Sequence, residues 1–294
     1  MLTLNELTIA IEIGIIYGIL ALGIYLTFRT INFPDLTCDG SFVTGAAVSS
    51  VIIKSGLNPM VGLFFAMLAG GTAGLLTGLI NIRLKVEDLL SGIIVAFMLY
   101  SINLRIMGTN PNISLVNETT IFCCGNPILI CAVIVTFILF LIAYLLSSDF
   151  GLGLRTIGQN KKFASANGVN VNVMTIFGLV ISNALIAICG AIFTQYQGFC
   201  DVSQGTGCLV IGLASVIIGE KLISKIKFAR DMEIVSRNFC EIFLALFSCV
   251  IGSIAYRIFI TIAINSDIFG LKTQDLNLIT GLLIIFIMSG KQKC

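Results

Sequence analysis

Two stretches of the chain place carboxylates beside glycine and proline in otherwise apolar surroundings. The first is "INFPDLTCDGSF", with Pro34, Asp35, Asp39 and Gly40 ahead of an apolar run barely long enough to span a bilayer. The second is "QYQGFCDVSQGTGCLVIGLASVIIGE", where Gly198, Asp201, Gly205 and Gly207 do the same in the other half of the chain. The chemistry this pattern suggests is passage of a solute rather than bond cleavage. Short, Gly/Pro-interrupted segments in corresponding halves occur in transporters where discontinuous helices line a pathway near the membrane midplane. Irregular backbone at that depth must face protein or water, which implies a cavity. Asp39 and Asp201 are therefore expected to face a translocation path, with Pro34, Asp35, Gly40, Gly205 and Gly207 beside them. The same residues also fit two ordinary loop-to-helix starts, with both aspartates as solvated N-terminal residues favoured by the helix dipole.

Other chemistry finds little to work with. The chain has no histidine, so no Cys/His zinc pattern exists, and its ten cysteines are scattered along the apolar runs. Most of these read as small buried apolar residues; the adjacent pair Cys123 and Cys124 lies in a loop. No metal site, cofactor site or catalytic constellation is expected. Glu12 and Arg257 fall inside apolar runs, where a lipid-facing charge is costly. Asp88 and Arg105 open and close one run and suit the helix dipole without further function. Isolated acids without histidine make a poor proton relay, which weakens an ion-gradient carrier. The phosphate-cradling pattern is also missing: "GLKT" at Gly270 lacks its spacing and its earlier glycine. If ATP drives this protein, another chain binds it.

The elements that must hold these residues follow from composition. Of 294 residues, 57% are hydrophobic and 11% charged, too few charges to dress a soluble domain of that size. The apolar runs have the length of membrane-crossing helices, about 20 residues, and not the alternation of an outer-membrane barrel. The fold expected is all-α, a polytopic transmembrane bundle with broken or half helices and an internal pseudo-repeat. Segments are read at Thr8 to Phe28, Leu36 to Ile53, Pro59 to Ile82, Asp88 to Leu104, Pro127 to Leu146, Val171 to Gln195, Gly205 to Leu222, Phe239 to Ile264 and Leu276 to Ser289. These are about nine crossings or their equivalent. The first run has no basic n-region and no cleavage site before it, so it reads as a retained helix.

Loop charge orients the bundle. With the N-terminus outside, the cytoplasmic side collects Arg29, Arg83, Lys85, Arg155, Lys161, Lys162, Lys221, Lys225, Lys227, Arg230, Arg237, Lys291 and Lys293, while the outer side holds Lys54, Arg105 and Lys272. The C-terminus is then cytoplasmic, as is the polar stretch "GLRTIGQNKKFASANGVN". Gly70, Gly74 and Gly78, like Gly14 and Gly18, recur every four residues, and close helix packing accounts for both strips.

Taken together, "LALGIYLTFRTINFPDLTCDGSFVTGAA", "DLLSGIIVAFMLYSINLRIMG" and the "GLASVIIGE" stretch resemble permease subunits of ABC-type importers of the branched-chain amino acid class. The resemblance covers almost the whole chain and is closer still to the subgroup described as tryptophan/tyrosine transport permeases, through "SINLRIMG" and "GLASVIIGE". It implies one permease domain over residues 1–294 and a permease homodimer in a bacterial inner membrane. It also implies two cytoplasmic ABC ATPase subunits and an extracytoplasmic binding protein that hands over an amino acid. It places an ATPase-coupling segment at residues 148–172, with Gly153, Arg155, Gly158, Asn160, Ala164, Asn167 and Gly168 as the matching positions. The basic linker "EKLISKIKFARDMEIVSRNFCE" departs from the family pattern, as do Lys161 and Lys162, which stand where an acidic or proline-containing pair is more usual. An ion-gradient carrier and a non-transporting membrane scaffold are the competing classes.

Overall fold

A computed structural model describes residues 4–224 and 239–265, together with 280, 281 and 285. The last apolar segment read from the sequence, Leu276 to Ser289, lies largely outside the described residues, as does most of the basic linker. Among the described residues, ten α-helices with defined bounds run in chain order: α1 Leu4–Ile24, α2 Cys38–Lys54, α3 Pro59–Leu84, α4 Asp88–Ile106, α5 Pro127–Ser147, α6 Asp149–Gln159, α7 Lys161–Ala166, α8 Val171–Gln197, α9 Cys208–Ser224 and α10 Phe239–Asn265. Six helical spans among the described residues are long and apolar enough to cross a membrane, and the first comprises α1 with the π-helical turn Tyr25–Thr30 that continues it. The other five are α3, α4, α5, α8 and α10. The protein is a multi-pass helical membrane protein.

The helix boundaries have local causes. Asn58 accepts a hydrogen bond from the Met60 N–H at 2.9 Å, and Pro59 occupies the first turn of α3, where its missing N–H costs nothing. Asn170 caps α8 through the Val173 N–H, and Gly198 ends that helix in the left-handed region at φ 76°. Beyond the cap the chain forms the short strand β2, Phe199–Asp201. It pairs antiparallel with β1, Asn112–Ser114, in the register Asn112↔Asp201, Ile113↔Cys200 and Ser114↔Phe199. This ribbon ties the α4–α5 connection to the α8–α9 connection.

The centre of the bundle is α8, on which α1, α2 and α3 all pack. The contact with α3 is made by the glycine strip. A Cβ on Gly74 would stand 2.3 Å from the Leu179 carbonyl oxygen, so only glycine permits that approach. Helix α2 crosses equally closely, with a Cβ on Gly45 falling 2.0 Å from the Ala187 oxygen. Charges inside the spans find partners. The Tyr196 hydroxyl donates to Glu12, and the Arg257 guanidinium lies 6.0 Å from the Tyr17 ring centroid. Of the cysteines described, Cys123 and Cys240 are exposed and the other six are buried.

Helix α2 is short for an apolar helix: its 17 residues at 1.5 Å per residue give about 25 Å, less than the hydrocarbon thickness of about 30 Å. Helices α2 and α9 are the two that follow the Gly/Pro/Asp stretches.

Candidate functional site

The starts of α2 and α9 meet through one carboxylate. Asp39, in the first turn of α2, accepts hydrogen bonds from the N–H groups of Gly207 at 3.1 Å and Leu209 at 2.9 Å. A side chain from one helix thus caps another that begins far later in the chain. The free N–H groups and the positive end of the α9 dipole satisfy the charge. The approach is close: a Cβ on Gly205 would lie 2.2 Å from the Asp39 carbonyl oxygen. Gly207 turns the chain into α9 at φ 85°, a conformation glycine adopts without strain.

Beside this junction lies a cavity of about 530 Å³, between the first turns of α2, the middle of α4 and residues 202–206. Asp39, Gly40 and Gly205 line it, with Phe97, Tyr100 and Asn103 from α4 opposite. Most of the wall is apolar, and the polar groups are few, as in sites that hold small molecules. Asn103 is buried and donates from Nδ2 to the Gly40 oxygen at 3.3 Å, while its Oδ1 has no hydrogen-bond partner.

The remaining residues expected along a path stand elsewhere. Asp35 is fully buried behind the cavity, where its carboxylate accepts from the Thr37 N–H at 2.8 Å and from Asn183 Nδ2 at 2.7 Å. Asn183 lies near the middle of α8, and its Oδ1 accepts the Ser41 hydroxyl at 2.7 Å. Asp35 therefore anchors the irregular stretch 31–37 to the bundle centre. Pro34 is half-buried in that same stretch. Asp201 ends β2 and accepts the N–H and hydroxyl of Ser203, a turn at the rim of the ribbon. The structure thus gathers Asp39, Gly40 and Gly205 in the cavity wall and leaves Pro34, Asp35, Asp201 and Gly207 outside it.

Segment 148–172 forms a second assembly. It consists of two helices, α6 and α7. The break has a clear cause: Asn160 is extended, and its Oδ1 accepts from the N–H groups of Lys162 and Phe163, starting a new helix. Gly153 packs on Met174, Ala164 is buried, the Asn167 amide donates to the Phe163 oxygen, and Gly168 closes α7 at φ 81°. Gly153, Ala164, Asn167 and Gly168 share a hollow of about 480 Å³ between α6, α7 and the start of α8. Phe163 stands exposed on α7. Arg155 is buried, and that desolvation pulls its guanidinium below the ordinary value against the opposing pull of Tyr25.

Two contacts tie this segment to the spans. A Cβ on Gly158 would lie 2.1 Å from the Thr30 carbonyl oxygen, so α6 rests directly on the π-helical end of the first span. Lys161, at the start of α7, pairs with Asp88 at the start of α4 at 3.6 Å. The cavity-lining helix α4 and the end of α1 are both within direct reach of α6 and α7.

The cavity residues of α4 escaped the sequence reading. Phe97, Tyr100 and Asn103 recur every three residues, one face of a helix, but they sit in an apolar run with no glycine or proline to single them out. Asn183 was equally silent, since its importance depends on which loop packs against α8.

Known proteins place this architecture. A Clostridioides difficile (strain R20291) protein named tyrosine transport system permease protein is 38% identical over 279 residues, covering 94% of this chain and 88% of that one. An uncharacterised Rickettsia prowazekii protein is 32% identical, with 99% of both chains covered. A probable branched-chain amino acid transport permease of Methanocaldococcus jannaschii is 27% identical over 73% of this chain and 75% of its own length. Residues 7–288 match the family described as branched-chain amino acid transport system / permease component, and the chain belongs to that family of ABC transporter permeases.

Proposed function

We propose that the protein is the membrane-spanning subunit of an ATP-driven importer, passing an amino acid, with an aromatic one favoured, through the cavity at Asp39, Gly40 and Gly205. The observation that carries this reading is the junction itself: the starts of α2 and α9 meet beside an open cavity, and the cavity's walls are tied to a polar two-helix segment. Helix α4 brings Phe97 and Tyr100, rings that suit an aromatic side chain. The name of the Clostridioides difficile relative points to the same ligand class.

On this reading ATP is hydrolysed on separate cytoplasmic ATPase subunits that dock on α6 and α7, around exposed Phe163. An extracytoplasmic binding protein delivers the ligand on the side of the β1–β2 ribbon. The N-terminus lies outside and segment 148–172 in the cytoplasm, a placement supported by the excess of Lys and Arg in the loops on that side. Two permease copies form the pathway in a bacterial inner membrane. The chain itself contributes no catalytic step; closure of the ATPase dimer moves α6 and α7, and the attached spans follow.

The test is assembly followed by stimulation. Coexpressed with the ATPase and binding-protein genes beside its own, the chain should copurify with the ATPase, and tyrosine-loaded binding protein should raise ATP hydrolysis. Copurification without any stimulation by a panel of amino acids would contradict the proposal and favour a scaffold.

A further inference from the structure

At the end of the bundle nearest α6, the Arg29 guanidinium donates to the Glu220 carboxylate and joins the last turn of the first span to α9. Both side chains are well exposed, at 42% and 35%. An ion pair this open to water contributes little to stability, so stability is a poor account of its placement. Its neighbours are more informative. Arg29 belongs to the π-helical turn Tyr25–Thr30, a form that is uncommon in helices and concentrates at functional positions. Thr30 of the same turn carries the carbonyl against which Gly158 of α6 rests. Tyr25 of that turn lies within electrostatic reach of Glu220, Arg29 and Arg155. Helix α6, the end of the first span and α9 thus converge at one place.

From there α9 leads to the cavity. Its far end is capped by Asp39, and Gly205, just before that end, lines the cavity wall. Helix α9 thus runs unbroken from the start that Asp39 caps to the Glu220 that Arg29 pairs, a rigid element joining the two contacts.

We propose that Arg29 and Glu220 are a positioning pair through which movement of α6 reaches α9 and sets the width of the cavity. The pair is open enough to break and re-form during a cycle, and it gives the segment a path to α9 through the end of the first span. This rests on the permease reading above.

The experiment uses the full chain assembled with its ATPase and binding protein in lipid vesicles, with tyrosine as probe. Arg29→Glu and Glu220→Arg should each lower uptake per ATP hydrolysed by about ten-fold, the scale of a typical coupling free energy, while basal hydrolysis persists. The reversed pair, carrying both changes, should recover most of that loss, and Arg29→Lys should stay near wild type. A purely structural role would instead change the amount of assembled complex. Single variants with wild-type uptake per ATP would overturn the proposal, as would a reversed pair no better than the singles at equal complex yield. If the charge reversals do not assemble, Arg29→Gln and Glu220→Gln take their place. The double neutral variant should be no worse than either single, and additive losses would overturn the proposal. No ATP-driven uptake by the wild type would overturn the permease reading, and this inference with it.

Discussion

Asp39 holds the first N–H groups of a helix that begins more than 160 residues later in the chain, and the geometry makes its two oxygens separately testable. Asp39→Ala removes both acceptors and should destabilise the α9 start by about 1 kcal/mol, the usual cost of losing a cap. Asp39→Asn keeps one neutral acceptor and should fall between alanine and wild type. Thermal melting of the purified protein and vesicle uptake measure the two effects; equal behaviour of alanine and wild type in both would contradict the capping role. Asp39, Gly40 and Gly205 were legible because carboxylates and glycines stand out in an apolar chain. Asp35 carries the same signal and is buried against Asn183 of α8, a contact that nothing local announces. Glu220 closes the "GLASVIIGE" stretch and Asn103 sits within "SINLRIMG", but neither residue's partners are visible in its own neighbourhood.

At the scale of elements, hydropathy was enough to locate the six helices long and apolar enough to cross a membrane among the described residues, because burial in lipid demands such helices whatever their partners. Packing distances were legible only as a glycine period. The strip on α3 now gives a quantitative expectation: Gly74→Val forces its side chain into the Leu179 carbonyl and should cost about 1–3 kcal/mol, seen as a lower melting temperature and a smaller monodisperse fraction after heating. Unchanged melting would mean that α3 and α8 do not approach as described. Segment 148–172 holds two helices, because Asn160 satisfies two N–H groups at once and restarts the helix. Gly158 is the contact point of α6 with the first span. Gly158→Val should leave binding of the ATPase intact but uncouple hydrolysis from uptake, whereas coupled uptake at wild-type efficiency would remove α6 from the transmission path.

For the whole molecule, the account joins two ends of one bundle. The ribbon and the cavity lie toward one side; α6, α7 and the Arg29–Glu220 pair lie toward the other. On the proposed orientation the second side is cytoplasmic, a reading supported by the excess of Lys and Arg in its loops. Reporter fusions test that assignment: a periplasm-active enzyme should function at the N-terminus, and a cytoplasm-active one in the loop after Gly168. Phe97 and Tyr100 are exposed on α4 beside the cavity, and a second permease copy would complete the wall they begin. The most direct measurement is uptake of labelled tyrosine by vesicles containing the chain with its ATPase, with ATP inside and loaded binding protein outside. The account predicts accumulation that needs ATP and the binding protein and is indifferent to a protonophore. Accumulation without ATP that a protonophore abolishes would contradict it.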